Sequence, residues 1–213
     1  MLRREFIASL AALVASPSFA EGAGEPGLQT DPGIPFNPED VVALARKLSK
    51  QDYKQRARIP DAWTNISYED YKSIWFDGRN ALWTGEDKIP LRLDVFAPGL
   101  YFPHPVDIAI VENGEARDLR FALDVFDTTD KFPSLPVDGT LGYSGLRLRS
   151  ELERPGIYQE FAVFQGASYF RAIGTGNIYG LSARGLSIDT ADPQGEEFPE
   201  FRSFWLEKPA PDA

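Results

Sequence analysis

The chain has 213 residues, a formal net charge of −10 and no cysteine. That length holds one sizeable domain or a piece of a larger one. The acidic balance argues against a nucleic-acid partner, because a negative surface repels phosphate backbones. Missing thiols exclude disulfides, thiolate catalysis and sulfur-ligated metals.

Residues 1–20 read as a signal peptide: Arg3 and Arg4, an apolar run over 6–14, then Ser18-Phe19-Ala20 as a small-x-small cleavage site. Arg3-Arg4 followed by Phe6 also fits the twin-arginine export pattern, here favoured slightly over the general secretory one. The apolar run is too short to span a bilayer and no later segment is longer, so an exported protein without a stable membrane anchor is expected. Residues 21–36, rich in Gly, Pro and Glu, read as a flexible lead-in.

Asn37 is placed to cap a helix beginning at Pro38, with Glu39 and Asp40 in its first turn and Lys47 and Lys50 near its end. Val41, Leu44, Ala45 and Leu48 share one face, so the helix should lie across a larger apolar surface. Ser67 with Asp70 marks a second helical turn, and 73–77 reads as a short strand. Leu91, Leu93 and Val95 alternate with Arg92, Asp94 and Phe96, as do Val106, Ile108 and Ile110 with Asp107 and Ala109. Asn113-Gly114 predicts a two-residue hairpin turn, with 115–121 as the return strand. Further strands are predicted at 158–164, 168–173, 178–183, 186–189 and 201–207. Short, regularly punctuated strands with few helices favour a mainly β fold, an antiparallel β-sandwich with a short N-terminal helix. Trp63, Trp75, Trp83 and Trp205 are expected to fill its core.

Two motifs dissolve on inspection. Gly142-Tyr143-Ser144-Gly145 has Leu146 where a nucleophile elbow needs glycine. Gly174-Thr175-Gly176 opens a dinucleotide-type pattern, but Tyr179 breaks it and no βαβ unit surrounds it. His104, the single histidine, lies between Pro103 and Pro105 and reads as a loop residue. No metal and no cofactor is expected.

The stretch 166–199 combines aromatics, arginines, carboxylates and glycines in strand-like segments. Sugars offer hydroxyl pairs to charged forks and C–H faces to rings, so this mixture suits a carbohydrate cleft, although tyrosine and glycine also serve ordinary sheets. Tyr169 and Arg171 would share one strand face, and Ser182 and Arg184 another. Pairing of the arginines with nearby acids is an equal alternative. Glycoside hydrolysis needs two carboxylates, for which Asp189, Glu196 and Glu197 are the candidates here. A solvated loop is the commoner role for such residues.

GASYFR at 166–171, IYGLSARGLSIDTA at 178–191, GEEFPEF at 195–201 and FWLEKP at 204–209 closely resemble the periplasmic glucan biosynthesis proteins of G and D type. Weaker similarity covers YEDYKSIWFDGRNALW at 68–83 and GLYFPHPV at 99–106, hence almost all of the chain after the leader. The resemblance implies a periplasmic protein of osmoregulated, β-1,2-linked glucan biosynthesis, with β-glucan polysaccharide as partner. It implies a galactose-mutarotase-like supersandwich followed by an immunoglobulin-like domain, and a glycan cleft in the sandwich. The twin-arginine leader favours the D type. Residues 37–213 then correspond to a truncated, N-terminal portion of the sandwich, lining the cleft with Tyr169, Arg171, Tyr179, Ser182, Arg184, Asp189, Glu196 and Glu197. Some members of the family resemble inverting β-1,2-glucanases whose catalytic carboxylates lie in the part that has no counterpart here. A share in such an enzyme, or a nonfunctional gene fragment, are the alternatives to a glucan binder.

Overall fold

The computed structural model describes residues 27–86, 88–127, 132–174, 176 and 181–211. The predicted signal peptide, Thr175 and Tyr179 lie outside the described residues.

Strands dominate. Within the stretch read as a lead-in, β1 (Gln29–Thr30) and β2 (Ile34–Pro35) each pair antiparallel with β6 (Glu115–Arg120), tying this segment to a sheet. Helix α1 (Pro38–Leu48) starts where predicted: the Asn37 side chain accepts from the Glu39 amide at 3.0 Å and Asp40 accepts from the Asn37 amide at 3.1 Å. Its apolar stripe faces Phe201 and Trp205 across an open cleft, and no residue of the helix is buried, short of the expected packing. Two short helices follow, α2 (Asp61–Thr64) and α3 (Tyr68–Lys72), the latter capped by Ser67, whose hydroxyl accepts from the Asp70 amide.

The first five-stranded sheet has β1, β6, β5 (Asp107–Glu112) and β12 (Ser203–Glu207) in that order, with β2 also on β6. Asn113 and Gly114 both take positive φ, 54° and 78°, as a type I′ hairpin turn between β5 and β6 requires. The pairing of β12 with β5 is parallel, not antiparallel as expected throughout. The chain passes through four strands of the second sheet before returning, so β12 can join the free side of β5 in the same direction.

That second sheet runs β11 (Leu181–Arg184), β10 (Tyr169–Ala172), β9 (Tyr158–Gln165), β8 (Gly145–Glu151) and β4 (Leu91–Phe96), antiparallel throughout. Strand β8 is absent from the sequence-based expectations although Leu146, Arg147, Leu148 and Arg149 alternate cleanly. Residues 186–189, predicted as a strand, form a loop with a single bridge between Ile188 and Glu197. Asp189 and Ala191 adopt φ of 51° and 64° there, which breaks any continuing ladder. A two-stranded ribbon, β3 (Trp75–Phe76) with β7 (Phe126–Asp127), stands beside β4.

The two large sheets share one core. Leu93, Val95 and Leu146 from the second sheet pack with Ile108 and Ile110 from the first. Phe164 joins the layers, stacked on Phe170 and edge-on to Phe201 and Phe204. Trp63 and Trp83 are buried, Trp63 donating from Nε1 to the Pro136 carbonyl at 2.7 Å. Trp205 stacks on Phe36 in a small second cluster. Trp75 corrects the expectation of a core tryptophan: it is 63% exposed.

Candidate functional site

Alternation gives the second sheet two unlike faces. Leu93, Val95, Leu146, Leu148, Ala162 and Phe164 look into the core. The intervening residues, paired across the strands as Asp94 with Arg147, Arg147 with Val163, Val163 with Arg171 and Arg171 with Ser182, form the opposite face.

Asp94 is fully buried beneath this face and accepts from Arg147 Nε at 2.7 Å and from Arg149 Nη2 at 2.8 Å. A buried carboxylate between two guanidiniums satisfies the rule that buried charge must be paired. Arg92, also buried, donates to the Ile89 and Leu91 carbonyls and lies 4.4 Å over the Tyr158 ring.

Glu160 joins the ladder through a bulge. The register passes from Leu148 opposite Ala162 to Arg149 opposite Glu160, so Phe161 is the extra residue on β9. Without it Glu160 would share the apolar face of Ala162. The bulge brings Glu160 to Arg171 at 3.1 Å and to Arg147 at 3.8 Å.

At the β11 end, Tyr169 stands opposite Arg184 and Arg171 opposite Ser182, so all four predicted residues share one face. Arg184 Nε donates to the Tyr169 hydroxyl at 2.9 Å. Its guanidinium pairs with Glu196 and lies 5.0 Å from the Tyr169 ring centre and 5.2 Å from that of Phe198. Of the two readings of Arg184, acid pairing is the one the structure shows. Asp189 and Glu197 do not join the cluster. Both are exposed in the loop after β11, where the Asp189 carbonyl accepts from the Asp192 amide and the Glu197 amide donates to Ile188.

Sequence reasoning missed Asp94, Arg147, Arg149 and Glu160. The signal for the first three is the alternation of LRLDVF with GLRLRSE, in which every charged residue falls on the arginine face. The motif before β8 is structural. Ser144 is buried and donates to the Ala97 carbonyl at 2.7 Å, while the buried Tyr143 hydroxyl donates to Arg120 at 2.9 Å and accepts from the Ala122 amide. Burial pushes the Tyr143 phenol above its ordinary pKa, and that of Tyr71 likewise. His104 lies in a loop, its Nδ1 bonded to the Ala57 carbonyl.

The second sheet thus turns a ladder of paired arginines and carboxylates away from the core. A profile of the family described as "Periplasmic glucan biosynthesis protein, MdoG" matches residues 36–213, and the chain belongs to that family. It is 40% identical over 218 residues to Glucans biosynthesis protein G of Rhodopseudomonas palustris strain BisA53, covering 100% of this chain and 42% of that protein. It is 46% identical over 176 residues to the protein of that name from Vibrio cholerae serotype O1 strain O395, covering 82% of this chain and 32% of the relative. A Shewanella relative, strain MR-4, is 42% identical over 179 residues, 84% of this chain and 33% of its own length. The chain therefore spans about a third to two fifths of these relatives. All three carry the G-type name, not the D type expected from the Arg3-Arg4 pattern. No helix among the described residues is long and apolar enough to cross a membrane.

Proposed function

We propose that this chain is the N-terminal portion of a periplasmic glucan biosynthesis protein and that the arginine face of its second sheet holds a β-1,2-linked glucan. The observation that carries this reading is the ladder itself: Arg147, Glu160 and Arg171 are ion-paired across adjacent strands, and the Tyr169–Arg184–Glu196 cluster continues the same face. Each of these charges has its partner before any ligand arrives. The face is therefore preorganised for neutral hydroxyls and needs no counter-ion from its ligand. Carboxylates committed to arginines suit holding a sugar more than passing a proton, which favours binding over hydrolysis by this part of the protein. The supersandwich is the fold proposed for the whole unit, and the periplasm its compartment.

The double variant Arg171→Ala plus Arg184→Ala, in this chain and in a full-length relative, tests the reading by calorimetric titration with linear β-1,2-glucan. Loss of binding is expected. Unchanged affinity would remove the arginine face from the glucan site.

A further inference from the structure

A cavity of about 270 Å³ adjoins the β4–β8 end of the arginine face. One wall is α3 with β3, contributing Tyr68, Tyr71 and Trp75; opposite them lie Phe96, Arg147 and Gln165. Phe96 and Gln165 both pair with Gly145, so the three form one row across β4, β8 and β9. Arg147 is the next residue along β8 on that face, so cavity and arginine ladder are continuous.

Three properties define what fits. Trp75 and Tyr68 are 63% and 57% exposed, whereas Trp63 and Trp83 are buried; the Tyr68 ring carries Lys72 Nζ 5.3 Å from its centre, so Trp75 is the ring left open to a flat apolar partner. The polar groups are fixed from below. Gln165 Nε2 donates to Ser144 at 2.9 Å and to the Tyr71 hydroxyl at 3.3 Å, and Tyr71 in turn donates to the Ala97 carbonyl at 3.0 Å. The charge is already balanced: Lys72 pairs with Glu69, and Arg147 with Asp94 and Glu160. A neutral ring with one C–H face and a hydroxyl rim matches all three. The volume lies below the range of roughly 300–1,000 Å³ for drug-sized ligands, which suits one ring and not several.

We propose that this cavity is an end subsite that stacks a single glucosyl residue on Trp75, at the opposite end of the arginine face from Tyr169 and Phe198. It rests on the reading of that face as glucan-binding. From β8 to β11 is three strand spacings, roughly 14 Å, so a glycan occupying both ends crosses the strands instead of following them.

Titrating the full chain with linear β-1,2-glucan, by calorimetry and by tryptophan emission, tests both levels. Trp75→Ala should weaken binding about tenfold and abolish the emission change. Trp75→Phe, which keeps a ring, should bind within about threefold of wild type and also lose the emission change. If Trp75→Ala binds as wild type while the Arg171→Ala plus Arg184→Ala variant does not, the subsite is wrong and the arginine face stands. Absence of binding by the wild-type chain overturns both.

Discussion

The two faces of the second sheet are built from the same five strands, yet they obey different physics. Toward the core, Leu93, Val95 and Leu146 are fully buried by apolar contacts that have no direction. On the other side, Asp94 is just as buried, but its place depends on two oriented guanidiniums. The difference teaches that burial alone does not separate scaffold from site. Along the polar face, side-chain exposure rises from Asp94 through Arg149 and Arg147, at 19% and 25%, to Arg171 at 35%, and falls back to 25% at Arg184. Asp94 is therefore held as part of the fold, and Arg171 is the most open of these four arginines.

The sharpest way to break this contrast is Asp94→Ala. It leaves Arg147 and Arg149 without their shared carboxylate, and a loss of about 3–5 kcal/mol is expected. Leu93→Ala, one residue away on the apolar face, should cost about 2–5 kcal/mol. Urea unfolding of the two variants gives the comparison. A cost below about 1 kcal/mol for Asp94→Ala, the usual range of an exposed pair, would mean that the ladder is decoration throughout.

Gly145→Ala probes the junction between the faces. A Cβ built there would lie 2.2 Å from the Phe164 carbonyl oxygen, a backbone atom that cannot swing aside. Strand β8 or β9 must shift, at about 1–3 kcal/mol. The shift also moves Gln165, so glucan affinity should fall together with the melting temperature. Full stability in the variant would show that the β8–β9 contact is looser than the structure has it.

Much of the fold was legible because it is local. The Asn37 capping box, the Ser67 cap and the Asn113-Gly114 turn each depend on residues within three positions of one another. The sharing of a face by Tyr169, Arg171, Ser182 and Arg184 follows from period-two alternation alone. What stayed hidden is non-local. The bulge at Phe161 that turns Glu160 to the arginines exists only in the register between β8 and β9. The parallel return of β12 depends on where the chain has been in between. Trp75 carries no local mark that distinguishes it from Trp63. Asp189 and Glu197 were drawn into the site by composition, and the left-handed backbone at Asp189 and Ala191 turns their segment into a loop.

At the exposed end of the ladder the stability effects shrink. Arg171→Ala alone should change unfolding free energy by less than about 1 kcal/mol, since its pair with Glu160 is a third exposed. Its effect belongs to binding. A variant that unfolded as readily as Asp94→Ala would erase the difference between Asp94 and Arg171.

A pH slope is expected on the core side. Burial raises the phenol pKa values of Tyr143 and Tyr71 above the ordinary 10.0. Below pH 10 both phenols are protonated in folded and unfolded chains alike, and their contribution to stability is complete. Above it the unfolded chain releases protons that the folded chain keeps, so stability falls as pH rises, by up to about 1.4 kcal/mol per pH unit for each group. Tyr143→Phe gives up the hydrogen bonds to Arg120 and Ala122 and should start about 1 kcal/mol lower at pH 8. Lacking a phenol to ionise, it should then lose stability less steeply, and the two curves should converge by pH 11. Curves that stay parallel would mean that the Tyr143 hydroxyl ionises as readily inside the fold as outside it.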